Sequence, residues 1–229
     1  MSYYPQTAIT NEGSSFIADV FPWKGFYTSG YGTPITSDNF DYATLENTYK
    51  WLETLVGSAT ESITSSICSL GVTTASGDSA RIIERNTPPY IVGSFNTFRA
   101  IIKFTNNQTN NIKEWGVSDT GGTNSYLFQL NGSTLNFVTI KGSTPTTVSI
   151  DAYRPTDGNF HLYEIVFIDN LHFYVFVDKV LAYTGTNPYI PKTNYKGMRM
   201  YLRNYNTGAL GGSTSALEVS EVGIIDNSN

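Results

Sequence analysis

The chain has 229 residues and a net charge of −5; only 14% of residues are charged, and another 14% are aromatic, sixteen of them tyrosine. That length can bury the core of one large β domain, or of one domain with an appendage, while the acid excess and the lack of any basic run exclude nucleic acid as the main partner. The single cysteine, Cys68, excludes an intramolecular disulfide and a cysteine-rich zinc or redox site.

The opening stretch, MSYYPQTAITNEGSS, has neither the basic start nor the apolar run of a secretory leader, and no stretch approaches the ~20 apolar residues that span a bilayer. Synthesis in a cytoplasm without membrane insertion is therefore expected. The Asn107 and Asn131 sequons then read as ordinary turns. Residues 1–40 contain FPWKGFYTSGYGTP, whose rings interleave with Gly and Pro and follow neither a helical nor a strand period. This predicts an extended arm. Phe16, Phe21, Trp23, Phe26, Tyr27 and Tyr31 are too many rings to leave in water, so the arm is expected to lie on its own domain or on a neighbouring subunit.

Across residues 41–71, Leu45, Tyr49, Leu52, Val56, Ala59 and Ile63 recur at spacings of four and three. The spacing predicts a helical segment whose seam packs on the β domain or pairs with other copies. Gly57 followed by Ser58-Ala59-Thr60-Glu61 also reads as a helix stop and a capping box, so two short helices compete with one long one. A homotrimer through this seam is the expected oligomer, with a monomer as the alternative.

From Val72 to the end, short β-branched and aromatic runs alternate with turn material such as TNNQTNN, DTGGTN and PTDG. About ten such strands predict an antiparallel β-sandwich of the jelly-roll type over residues 72–229. Within it, HLYEIVF from His161 is apolar on both faces apart from Glu164, which predicts a central strand. Asp169-Asn170 then turns the chain into LHFYVFVDKVLAY as a tight hairpin.

That hairpin resembles the W-H-x-Y-x-I … F-Y-V-D-G-x-x-V signature of concanavalin A-like lectin/glucanase domains, the group that includes laminin G-like modules. Phe160 stands where Trp is usual, and Lys179 replaces the glycine after Asp178, which predicts a wider loop there. The glucanase branch implies an acid pair on one strand, E-x-D-x-E, with the carboxyls about 5 to 5.5 Å apart in retaining enzymes. The nearest match, KEWGVSD, has Glu114 followed at alternate positions by Gly116 and Ser118. Glu218 and Glu221 are three apart and so are predicted on opposite faces of a strand.

His161 and His172 read as packed imidazoles and Cys68 as a buried structural thiol. Asp119 and Asp157 lie in turns, where lectin-like domains often keep Ca²⁺ ligands, but neither segment clusters oxygens as a calcium loop does, so no cofactor is expected. Trp115, Tyr153, Tyr201, Asn204 and Tyr205 are the candidate carbohydrate-binding residues, being rings and an amide of the kind that stack on sugars and bond their hydroxyls. Three functions follow from these features: a structural or attachment protein of a virus particle, a soluble lectin-like module, and a glucanase-like hydrolase. The arm, helical segment and jelly roll together resemble bacteriophage decoration, head-fibre and tail-fibre proteins. The expectation is accordingly a non-enzymatic virion component, with other capsid or tail proteins and host-surface glycans as partners.

Overall fold

A computed structural model describes residues 33–45, 50–85, 96–105, 107–119, 121–168, 172–186 and 198–226. Two antiparallel sheets face each other as a jelly-roll sandwich. Sheet A runs β13(Val180–Thr186), β12(His172–Val177), β11(His161–Phe167), β6(Asn96–Thr105), β15(Ser215–Asp226), β4(Ile67–Val72) and β3(Thr60–Thr64), with β1(Thr33–Asp38) also paired to β15. Sheet B runs β10(Thr144–Ser149), β9(Thr134–Lys141), β8(Ser125–Asn131), β7(Asn111–Ser118), β14(Arg199–Asn206), β5(Ser79–Glu84) and β2(Trp51–Val56).

The sheets are joined by an aromatic core. Trp115 of β7 stacks on Phe128 of β8 at 5.7 Å between centroids, and both meet Tyr163 of β11 edge-on, at 4.9 and 5.1 Å. Tyr126 meets Phe167 and Phe173 in the same way. Such pairs each add about 0.5–1.5 kcal/mol beyond the area they bury. The predicted hairpin is present: β11 pairs with β12 and is flanked on its other edge by β6, so it is internal to sheet A.

Several expectations need correction. Among the described residues of 41–71 the helical segment is absent: β2, β3 and β4 lie there, paired in the two sheets. The period-two signal wins. Alternate residues Cys68, Leu70 and Val72 all face the core, and Ser65 and Ser66, both at positive φ, close a tight turn between Thr64 and Ile67. Gly57 marks the break between β2 and β3 at φ 70, where a Cβ would sit 2.1 Å from Asp78 Oδ1. The seam dissolves accordingly, because Leu52 and Val56 are exposed on β2, Ile63 is half-buried on β3, and Leu45 and Ala59 are buried outside any helix. Tyr49 lies outside the described residues, as do the arm rings Phe16, Phe21, Trp23, Phe26, Tyr27 and Tyr31. The trimer loses the helical seam on which it was based.

The loop at Lys179 is not wider. Val177 pairs with Val180, and Asp178 and Lys179 form a two-residue turn with φ of 49 and 69. Asp178 is held in that geometry by its own carboxylate, which accepts from the Leu162 backbone N–H at 3.0 Å and also bonds His161. Glu218 and Glu221 share a face instead of opposing each other. A bulge between Val219 and Glu221 adds one residue, so they pair with Lys103 and Ile101, alternate residues of β6.

Candidate functional site on the outer face of sheet B

Strand alternation sorts the residues of β7 and β14 into two sets. Lys113, Trp115 and Val117 of β7, with Met200, Leu202 and Asn204 of β14, point between the sheets, while Ile112, Glu114, Gly116 and Ser118, with Tyr201, Arg203 and Tyr205, lie on the outer face. Two of the five sequence-predicted sugar-binding residues are thereby displaced. Trp115 is fully buried in the aromatic core. Asn204, also fully buried, donates to the carbonyls of Leu70 and Ser215 at 2.9 and 3.0 Å and accepts from Asn111 at 2.8 Å.

Tyr201 and Tyr205 converge on Glu114. The Tyr201 hydroxyl donates to Glu114 Oε2 at 3.3 Å, the Tyr205 hydroxyl to Oε1 at 3.4 Å, and Gln129 Nε2 to Oε1 at 3.0 Å. Burial, and then the charge of Glu114, push both phenols well above the usual tyrosine range, so they stay protonated and keep donating. The strand registers extend this cluster into one row across the whole sheet: Thr54, Arg81, Arg203, Glu114, Gln129, Asn136 and Ser149 are successive cross-strand partners. Every member carries hydrogen-bonding atoms. Beside the row, Ile83, Leu127 and Tyr201 form an apolar patch with Ile140. The strip and the central carboxylate are themselves buried: Ile83 is 5%, Leu127 3%, Tyr201 9% and Glu114 8% exposed.

The carboxylate count is the decisive chemical fact. Glu114 is the only carboxylate that the described strands place on this face, and Gly116 and Ser118 occupy the alternate positions, as the sequence implied. Gly116 is also closed to an acid by its backbone: at φ 153, a Cβ there would sit 2.1 Å from the Tyr126 carbonyl oxygen. One carboxylate between two phenols can orient hydroxyls and exchange a single proton. It does not assemble the acid and nucleophile of a retaining glycosidase.

Tyr153 stands apart, exposed on the 3-10 turn Asp151–Tyr153. It lines an open depression of about 380 Å³ with Arg154, Asp157, His161, Asp178 and Val180. There His161 is clasped between two carboxylates, Nδ1 to Asp178 Oδ2 at 2.7 Å and Nε2 to Asp157 Oδ1 at 2.6 Å. Burial works to lower its pKa, but the two carboxylates outweigh burial and the net effect is a rise. The Asn159 backbone N–H first, and then His161, hold Asp157 far below the usual range. Asp119 spends its oxygens on Thr123 N–H and Asn124 Nδ2 within its own turn. Among the described residues no group of three or more His, Cys, Asp or Glu could hold a metal ion. Cys68 is buried and free, its thiol pushed up first by burial and then by Glu61.

No protein-family model and no curated protein matches the sequence. Solved structures do match in fold. One, from a study of endo-acting O-glycanases that human gut microbiota express to initiate mucin breakdown, aligns with a TM-score of 0.65 at 12% identity over 85% of this chain and 99% of its own. The catalytic domain of an endo-1,3-β-glucanase (laminarinase) from Thermotoga petrophila gives 0.64 at 10% identity over 86% and 99%. A pseudo β-1,3-glucanase and immunostimulatory antigen of Mycobacterium tuberculosis gives 0.61 at 14% over 84% and 98%. At these identities the likeness establishes the concanavalin A-like jelly roll that the hairpin suggested.

The same matches overturn the expected non-enzymatic virion protein. In the matched structures this architecture belongs to glucanases and O-glycanases, so the jelly roll is no ground for a bacteriophage decoration or fibre role. The expected virion partners and virion location fall with it.

Proposed function

We propose that this is a carbohydrate-active protein that lays a glycan chain across the strands of sheet B, along the row from Thr54 to Ser149, with Glu114 as its central carboxylate. The observation that carries this is the convergence of Tyr201, Tyr205 and Gln129 on Glu114 at 3.0 to 3.4 Å, on the outer face of a sheet. Carboxylate, amide and phenol groups gathered at one point are the kind that exchange hydrogen bonds with sugar hydroxyls. The fold shared with laminarinase and mucin O-glycanase structures supports carbohydrate as the ligand class. Tyr153 is not part of this reading, since it lines a separate depression with His161.

The test is calorimetric titration of the full chain with oligosaccharides, laminari-oligosaccharides and mucin-type O-glycans among them, with released reducing ends measured on the same samples. Binding should be saturable, and Glu114→Gln should weaken it by about ten-fold or more, the worth of one charge-assisted hydrogen bond. If no glycan binds, or if the Gln variant binds as the parent does, the reading fails.

A further inference from the structure

We infer that the glycan on this face carries an anionic group, a carboxylate or a sulfate, and that Arg81 and Arg203 hold it. The inference rests on the glycan-binding reading of sheet B. Arg81 of β5 and Arg203 of β14 are direct register partners, so their side chains leave the same face with Cβ atoms about 5 Å apart. Like charges directly opposite each other destabilise a sheet. The chain has only 14 lysines and arginines against 19 acids, so pairing two arginines here does not follow from an abundance of base.

No described carboxylate makes a direct contact with the pair. Glu114 is the cross-strand neighbour of Arg203 on its other side, yet its oxygens accept from Gln129, Tyr201 and Tyr205, and neither arginine forms an ion pair among the described residues. Each guanidinium is instead fixed by neutral groups. Arg203 lies 3.8 Å over the Tyr205 ring and donates Nε–H to Ser79 Oγ at 3.2 Å. Arg81 donates to Thr54 Oγ1 at 3.1 Å, while its Nε is buried with no acceptor.

Both forks leave the same face of the sheet, and each keeps N–H donors beyond the one that its neutral tether uses. Planar forks of this kind match the oxygens of a carboxylate or sulfate. A neutral sugar would leave the repulsion in place, whereas an anionic substituent removes it. The ligand class is therefore an oligosaccharide bearing uronate or sulfate groups.

The test compares three oligosaccharides of equal length by titration of the full chain: a neutral laminari-oligosaccharide, an oligogalacturonide and a sulfated galactan. At least one charged probe should bind about ten-fold tighter than the neutral one, and the preference should shrink as salt rises. Arg81→Gln and Arg203→Gln should each lower affinity for the charged probe far more than for the neutral one, so that the preference is lost. The stronger of the two charged probes identifies the anion. Equal or tighter binding of the neutral probe overturns this inference and leaves the glycan reading standing, as does a charge preference that survives both substitutions. Failure of all three probes overturns both.

Discussion

The two faces of the β7–β14 pair use the same strands and the same kinds of residue to opposite ends. On the inner side, Lys113, Asn111, Asn204 and Ser215 bond one another and neighbouring amides and carbonyls: Lys113 Nζ donates to Asn111 Oδ1 at 2.6 Å, Ser215 Oγ at 2.7 Å and Asn107 Oδ1 at 3.1 Å. On the outer side, Glu114 gathers donors while Arg81 and Arg203 form no ion pair among the described residues. A polar cluster that closes on itself holds the fold together. One left with charge to offer is placed to bind.

The sharpest way to break this contrast is to exchange the two roles by mutation. Trp115→Ala, on the inner face, should cost about 3–5 kcal/mol of stability in denaturant unfolding, because it empties a ring site between the sheets. Glu114→Gln, one residue away on the outer face, should cost less, about 2 kcal/mol or under, while losing glycan affinity. Comparable stability losses from the two would mean that Glu114 is structural.

A second contrast is in pH. Burial pushes the Lys113 ammonium down to about 7. Because its folded pKa lies below the unfolded value near 10.5, the unfolded chain keeps a proton that the folded chain has released between about pH 7 and 10.5. Stability relative to Lys113→Met should therefore rise across that window, by at most about 1.4 kcal/mol per pH unit. A flat difference would mean that Asn107, Asn111 and Ser215 keep the ammonium charged.

The smallest effect is expected at the other depression. His161 has a raised pKa, so its contribution is complete below the unfolded value near 6.5 and is lost as pH rises through the folded one. Wild type should lose under about 1 kcal/mol relative to His161→Gln over that rise. The opposite slope would mean that burial outweighs Asp157 and Asp178.

What the sequence disclosed follows from which period dominates locally. Residues 161–167 are apolar at both parities and end in turn material, so the central strand and its hairpin were legible. Residues 41–71 carry apolar residues at spacings that satisfy a helical seam, while the alternation of Cys68, Leu70 and Val72 is only three residues long and falls at the far end. Side-chain direction was half legible. Tyr201, Arg203 and Tyr205 alternate and must share a face, which excludes Asn204 from it, and the same rule separates Trp115 from Glu114. Arg81 was not readable, since its place opposite Arg203 depends on a register between strands more than a hundred residues apart. Nor did local sequence signal the bulge that brings Glu218 and Glu221 to one face.

The measurement closest to the central claim is a two-dimensional NMR titration of the full chain with the tightest-binding oligosaccharide, following side-chain amide, guanidinium and aromatic signals. Saturable shifts at Gln129, Arg203, Tyr201 and Tyr205, with Tyr153 and His161 unmoved, are the predicted result. Shifts centred on Tyr153 and His161, or none on the outer face of sheet B, would contradict it.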